Sequence, residues 1–341
     1  MSNQALETFF ELLPSIQDFI PHDGPIVFLR AEWAPELSRL PIERVQAYQT
    51  FRPLAKLLEN RRLTLVSALP ATAKLALLIP TKQKKESLYL MARACQMLED
   101  GAVMILVCEN HRGARSYRDA MEKLFSTIEY SSKNKCLLVW SKKSAGVNSE
   151  VLAQYLKDGE QFTIGGTNLV SRSGVFSWDE IDSGSKLLAE SIPTSLKGSG
   201  ADFGAGTGYL SQYAIEHCPE ITTLSLFEAE SIALDCAKKN LANIAGNRVK
   251  TDFIWCDLTT EAPKANFDFI LMNPPCHDSR ELDVEIGKKF ISAAKNSLKS
   301  GGALYMVGNA HISYREILNK NFGKVETICK TRTFITYVAV K

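Results

Sequence analysis

The stretch "DFGAGTGYLS", Asp202 to Ser211, leaves an apolar strand pattern and opens a helical one through three glycines spaced G-x-G-x-G. Glycine accepts left-handed backbone and lets peptide N–H groups approach a ligand, and a helix amino terminus adds partial positive charge there. A dinucleotide loop has the spacing G-x-G-x-x-G, which would need its third glycine at Tyr209. The acid that opens the loop, Asp202, would repel a pyrophosphate but suits a ligand that carries an ammonium group. Taken alone, the loop is equally well a tight turn, so the neighbouring strands decide.

Those strands end on acids. "LSLFE" closes on Glu228, 20 positions after Gly208, where a carboxylate can accept from both hydroxyls of a ribose. "FIWCD" closes on Asp257, placed to accept from an adenine amine. Three acids at successive strand ends converge on one crevice, as expected at a topological switch point. Together they describe a nucleoside with an amino-acid tail, and S-adenosylmethionine has that form. Further out, "SIALDCAKKNLANI" reads as a helix, "FDFILMNPP" as a strand, and "VEIGKKFISAAKNSLKSGG" as a helix closed by a glycine pair. "ALYMVGN" and the hairpin "KVETICKTRTFITYVAVK" bring the second half to seven strands, parallel first and antiparallel last.

The fourth of these strands stops at Asn273-Pro274-Pro275-Cys276. The Asn273 side-chain oxygen and the Pro274 carbonyl can accept both hydrogens of one exocyclic NH₂ and aim its lone pair. Prolines fix φ and bring no N–H, so the lip is rigid and offers acceptors only. The gain would come from positioning. The plain alternative is a stiff strand end. In the fourth place a flat aromatic would stack on a base, worth roughly 1–3 kcal/mol, which Cys276 cannot do. Phe176, Trp178, Tyr314 or His277 are candidate substitutes. A general base at His277 is not required, because a planar amine loses no proton before it attacks.

At 341 residues, 45% hydrophobic and 23% charged, the chain is long enough for two domains with cores of their own and has no low-complexity tract. Runs such as "LALLI" and "AVMILVC" are far shorter than the about 20 apolar residues that cross a bilayer. The acidic first residues lack a secretory pattern, so no membrane role and a cytoplasmic location are expected. Eight scattered cysteines without a C-x-x-C pair suggest buried thiols rather than disulfides, and no metal site.

The first half alternates helix and strand: "QTFRPLAKLLEN", "LTLVSAL", "KLALLIP", "KESLYLMARACQMLEDG", "AVMILVCEN", "SYRDAMEKLF" and "KCLLVWSK". This implies a mostly parallel α/β sheet, and no glycine-rich loop accompanies it. The polar segment around 145–160 marks the junction, dividing the chain into 1–160 and 161–341. Net charge is only +2, but Arg52 to Glu86 hold eight basic residues against two acidic ones. Such a stretch can grip phosphates, although charge alone favours a solvated face.

The chain resembles the class I S-adenosylmethionine-dependent methyltransferases, and within them the RsmC/RlmG type of ribosomal RNA guanine-N2 methyltransferase. The marks are "GVFSWDEIDSGSKLL" (174–188), "DFGAGTGYLS" (202–211), "FDFILMNPPCHD" (267–278) and "CENHRGARS" (108–116), and the likeness spans nearly the whole chain. It implies two tandem Rossmann-like methyltransferase domains, the first degenerate, free of cofactor and bound to RNA, the second catalytic. By resemblance, Asp202, Gly204, Gly206 and Gly208 cradle the cofactor, Glu228 takes its ribose and Asp257 its adenine. Phe176 and Ser177 line the methionine end, and Asn273, Pro274, Pro275 and Cys276 hold the target amine. Arg61, Arg62, Lys82, Lys84, Lys85, Arg112 and Arg115 are the RNA-binding candidates. The partner would be ribosomal RNA or a ribosomal subunit, met by a monomer. The family pattern is N-P-P-F, from which Cys276 departs. A protein glutamine N-methyltransferase, or a module that binds the cofactor without turnover, are the competing expectations.

Overall fold

The computed structural model describes residues 3–144, 146–246, 248–275 and 280–341. They form two compact units, Met1–Glu160 and Gln161–Lys341.

The first unit holds β1 (Ile26–Leu29), β2 (Val45–Tyr48), β3 (Thr64–Leu65), β4 (Ala73–Leu78), β5 (Leu98–Glu109), β6 (Glu129–Lys133) and β7 (Cys136–Lys142). They lie in the order β3-β2-β1-β4-β5-β7-β6. Neighbours from β3 to β5 run parallel, and β7 is antiparallel to both β5 and β6. Apolar clusters bury both faces, one around Met91, Met104 and Leu124, the other around Phe9, Phe28 and Ile105. The "LTLVSAL" segment forms only the two-residue β3: after Val66 donates to the Ala47 carbonyl at 3.0 Å the chain bends at Ser67 and Ala68, ahead of Pro70. The polar segment around 145–160 belongs to this unit: helix Ser149–Lys157 is capped by the Asn148 side chain and packs Val151, Leu152 and Tyr155 on its core.

The second unit opens with a short ribbon, β8 (Phe162–Thr163) against β9 (Val170–Ser171). Its sheet follows: β10 (Lys197–Phe203), β11 (Glu220–Glu228), β12 (Lys250–Trp255), β13 (Phe267–Met272), β14 (Leu298–Asn309), β15 (Lys324–Lys330) and β16 (Phe334–Val340). The order β12-β11-β10-β13-β14-β16-β15 repeats the topology of the first sheet, with β16 antiparallel to its neighbours. Along β13, Ile270 and Met272 enter one apolar cluster while Phe269 and Leu271 enter the other. Burial on both faces is why the parallel strands read as continuous apolar runs.

The glycine pair at 301–302 does not close a helix. Helix Arg280–Ser297 ends first, and the pair lies inside β14, where the ladder to β13 slips between its Leu298 and Ala303 pairings. The parallel strands all finish at one edge. Phe203 pairs with Phe227 and Met272, and Glu228 with Trp255, so the residues after each strand share that edge. Among the described residues no helix is long and apolar enough to cross a membrane. The described cysteines are free thiols, and all but Cys329 are buried.

Candidate active site

Beyond β10 the chain turns sharply. Gly204, Gly206 and Gly208 have φ of 78°, 53° and 84°, left-handed values that side chains rarely adopt. A Cβ on Gly206 would meet nothing within 4 Å, so the loop presents bare backbone to open space there. At Gly208 it would lie 3.2 Å from the Ala237 Cβ, and this close packing seats helix Tyr209–His217 against helix Ser231–Ala245. The Gly204 and Ala205 N–H groups donate to the Phe227 carbonyl at 2.9 and 3.1 Å, and Gly208 donates to Ala205 at 2.8 Å. The turn is held by the end of β11.

Asp202 has no exposed surface. Its Oδ2 accepts from the Ser211 hydroxyl at 2.7 Å, whereas Oδ1 is buried without a hydrogen-bond partner. Burial, with the Glu228 charge adding to it, pushes the carboxyl up to about 7. A buried carboxylate with an orphaned oxygen is costly unless a donor or a positive charge meets it. Glu228 is raised as well, by burial. Its Oε2 accepts from the Gly206 N–H and its Oε1 from the Glu230 N–H, each at 2.8 Å. The acid expected to meet a ribose therefore also braces the glycine loop, one lone pair on each oxygen being engaged.

Asp257, read as an adenine contact, is buried and caps its own turn. Its Oδ1 accepts from the Thr259 N–H at 2.9 Å and the Thr259 hydroxyl at 2.7 Å, and its Oδ2 from the Thr260 hydroxyl at 3.0 Å. An amine would find room on Oδ2 alone, because Oδ1 already accepts twice.

Asn273 joins the loop directly: its carbonyl oxygen lies 3.5 Å from where a Cβ on Gly204 would stand. Its amide nitrogen donates to Asp182 Oδ2 and to Ser185 Oγ, both at 2.8 Å. Pro274 is buried and Pro275 half-buried. Cys276 and His277 lie outside the described residues. Of the rings considered in place of an aromatic at 276, Tyr314 is excluded, since it is buried with its ring against Gly287 and Gly308. Trp178 packs edge-on against Phe162 at 5.6 Å. Phe176 is 67% exposed, and the next residue, Ser177, sits at φ 49°.

The first unit is built differently at the corresponding strand ends. Leu29 pairs with Leu78 as Phe203 pairs with Met272, so Arg30 stands where the second unit has Gly204, and Ile79-Pro80 where it has Asn273-Pro274. Arg30 forms a 2.7 Å ion pair with Glu86, both side chains largely buried, and also donates to Gln49 and Thr50. The basic candidates fall into two groups. Lys82, Lys84 and Lys85 follow β4, and Arg112 and Arg115 follow β5, at the carboxyl edge. Lys84 donates to Ser116 at 2.6 Å and Arg112 to the Pro80 carbonyl at 3.3 Å, which ties these segments together. Arg61 and Arg62 come just before β3, on the amino side of its pairing with β2, with Arg61 over the Trp33 ring at 5.3 Å. The structure does not bring them to the same edge.

A doubly wound sheet of this order, with a glycine loop, a buried acid and an Asn-Pro-Pro lip at one edge, defines the class of Rossmann-like S-adenosylmethionine-dependent methyltransferases. The chain belongs to the methyltransferase small domain family, whose model matches residues 166–338, and the family's N-terminal domain matches residues 38–158. It is 31% identical over 256 residues, 74% of this chain and 71% of the relative, to "Ribosomal RNA small subunit methyltransferase C" of Psychromonas ingrahamii. The protein of the same name from Escherichia coli O157:H7 is 28% identical over 298 residues, covering 86% of this chain and 84% of that one. Among solved structures, a T. thermophilus 16S rRNA N2 methyltransferase (RsmC) in complex with AdoMet and guanosine superposes with a TM-score of 0.78. It is 20% identical and covers 98% of this chain and 92% of its own. That likeness extends the shared fold to both units.

Sequence reasoning missed Asp182 and Ser185, although both stand in the quoted D-S-G-S. It also missed Ser211, the partner of Asp202, which closes the glycine-loop stretch.

Proposed function

We propose that the second unit transfers a methyl group from S-adenosylmethionine to the exocyclic N2 amine of a guanine in ribosomal RNA, with small-subunit RNA, named for the relatives, as substrate. The observation that carries this reading is the meeting of two motifs at one edge: Asn273 abuts Gly204, in a loop headed by a buried carboxylate with an unmatched oxygen. When bound, the cofactor supplies an electrophilic methyl group on its sulfonium. Asp202 would face its ammonium, with Gly204, Gly206 and Gly208 leaving room for it. Glu228 would accept from the ribose and Asp257 Oδ2 from the adenine amine, with Phe176 and Ser177 beside the methionine end. Asn273 Oδ1 and the Pro274 carbonyl would accept the two N–H groups of the guanine amine and turn its lone pair toward the transferred carbon. Solvent then takes the proton the amine releases, and no base is needed.

In the first unit the Arg30–Glu86 pair and Ile79 stand where a cofactor loop and an acceptor amide would be required, so its role is to support the fold and bind RNA. Lys82, Lys84, Lys85, Arg112 and Arg115 supply the phosphate contacts, and Arg61 and Arg62 lie apart from them. The protein works as a cytoplasmic monomer. Mass mapping of ribosomal RNA from cells lacking the protein should show one guanine short of a methyl group, restored by adding back the chain with labelled cofactor. Label appearing only in protein would overturn the RNA substrate in favour of a side-chain amide. Asn273→Ala should slow transfer about 10²-fold or more while cofactor affinity measured by calorimetry stays nearly unchanged.

Cys276 favours one second reading, a cofactor-binding chain with weak turnover. Cys276→Phe should then lower KM for RNA and raise the rate by restoring a stacked ring, worth roughly 1–3 kcal/mol. Tight cofactor binding with no transfer in either form would establish the second reading.

A further inference from the structure

We propose that Asp182 and Ser185 are positioning residues for Asn273, holding its amide in the one orientation that can accept from a target amine. The inference rests on the methyl-transfer reading of the site and deepens it. Asn273 Nδ2 lies 2.8 Å from both Asp182 Oδ2 and Ser185 Oγ, which are 91 and 88 positions away in the chain. A carboxylate can only accept, so the atom facing Asp182 must be the amide nitrogen. A flipped amide would set two oxygens 2.8 Å apart, a repulsive contact. Both N–H bonds of the amide are thereby committed to the start of helix Ser183–Ser191, and Oδ1 is left as its acceptor. Donation to a charged partner also polarises the amide and strengthens that acceptor.

The clamp is itself fixed. Asp182 Oδ2 accepts from the Ser185 N–H at 2.7 Å as the helix N-cap, so one oxygen holds both the helix and the amide. Gly184 supplies clearance: a Cβ there would lie 3.1 Å from Asp182 Oδ2 and 3.1 Å from the Phe334 ring. The helix is anchored by buried Leu188 and Ala189 and by contact of Ser191 with Thr336. The D-S-G-S motif is thus a single device, made of a cap that doubles as an amide acceptor, a residue without a side chain, and a second acceptor.

The test compares Asp182→Ser, Asp182→Asn and Ser185→Ala in the full chain, using unmodified small-subunit RNA and labelled cofactor. Serine keeps the helix cap but is too short to reach Asn273, whereas asparagine keeps an oxygen for both tasks. Asp182→Ser should lower kcat about 10²-fold with KM for RNA, cofactor affinity and Tm nearly unchanged. Asp182→Asn should recover most of the rate, and Ser185→Ala should lose on the order of tenfold, as for one hydrogen bond. Wild-type turnover that is unchanged in Asp182→Ser overturns the positioning role alone. A loss in Asp182→Ser that follows a fall in Tm and cofactor affinity, with no rescue by asparagine, overturns it in favour of a structural cap. A wild-type chain that methylates no ribosomal RNA overturns the reading of the site, and this role with it.

Discussion

Asp202 combines a buried position with an oxygen that no protein group satisfies, and its carboxyl is raised to about 7 mainly by burial. In the ligand-free protein the protonated acid is favoured, so Asp202 takes stability away as pH rises from the ordinary carboxylate range toward 7. Asp202→Asn, which cannot ionise, should lack that decline, and its Tm should exceed the wild-type value by more at about pH 8 than at about pH 5, as followed by thermal melts. An ammonium needs the ionised acid. Calorimetry on the wild type should therefore show cofactor affinity falling as pH drops below about 7, with proton release on binding near neutrality, and Asp202→Asn should bind weakly throughout.

The glycine turn has two duties, bare backbone at Gly206 and close helix packing at Gly208, and they separate by mutation. Gly208→Ala meets a φ of 84° and a neighbour at 3.2 Å, so it should destabilise the chain by about 1–2 kcal/mol for the left-handed backbone alone, seen as a lower Tm before any cofactor is added. β13 is buried on both faces up to Met272, and Asn273-Pro274 then leaves the ladder without adding an N–H at Pro274. Helix Ser183–Ser191 meets that strand end from a distant part of the sequence and sets the direction of its amide.

One topology occurs twice along the chain, with opposite chemistry at the carboxyl edge. The second unit places glycine and an amide there, and the first a buried ion pair and an isoleucine. Helix Arg52–Asn60 runs back along the first sheet, so charges close in sequence end at different edges: Arg61 and Arg62 before β3, the lysines after β4. Neutralising Lys82, Lys84, Lys85, Arg112 and Arg115 together should flatten the salt dependence of RNA binding, by about 0.7–0.9 in log–log slope for each phosphate that the protein no longer neutralises. Neutralising Arg61 and Arg62 should change that slope much less, as a salt series in a filter-binding assay would read.

Periodicity and turn chemistry were enough to read the second sheet, because strands buried on both faces show as apolar runs and a left-handed loop shows as glycine. The first sheet was less legible: β1, β2 and β3 are two to four residues long, too short for any pattern to separate from loop. At the site, the glycine loop and Asn273-Pro274 announced themselves, since each needs a particular residue type for its own backbone. The local turn chemistry and a run of parallel strands closed by antiparallel ones were thus legible along the chain, while the order of the strands in the sheet came from their pairing. It took the packed chain to put Tyr314 under cover and to bring Asp182 onto an amide 91 residues away. Such pairings come into existence when separate segments are packed together, and no spacing along the chain encodes them.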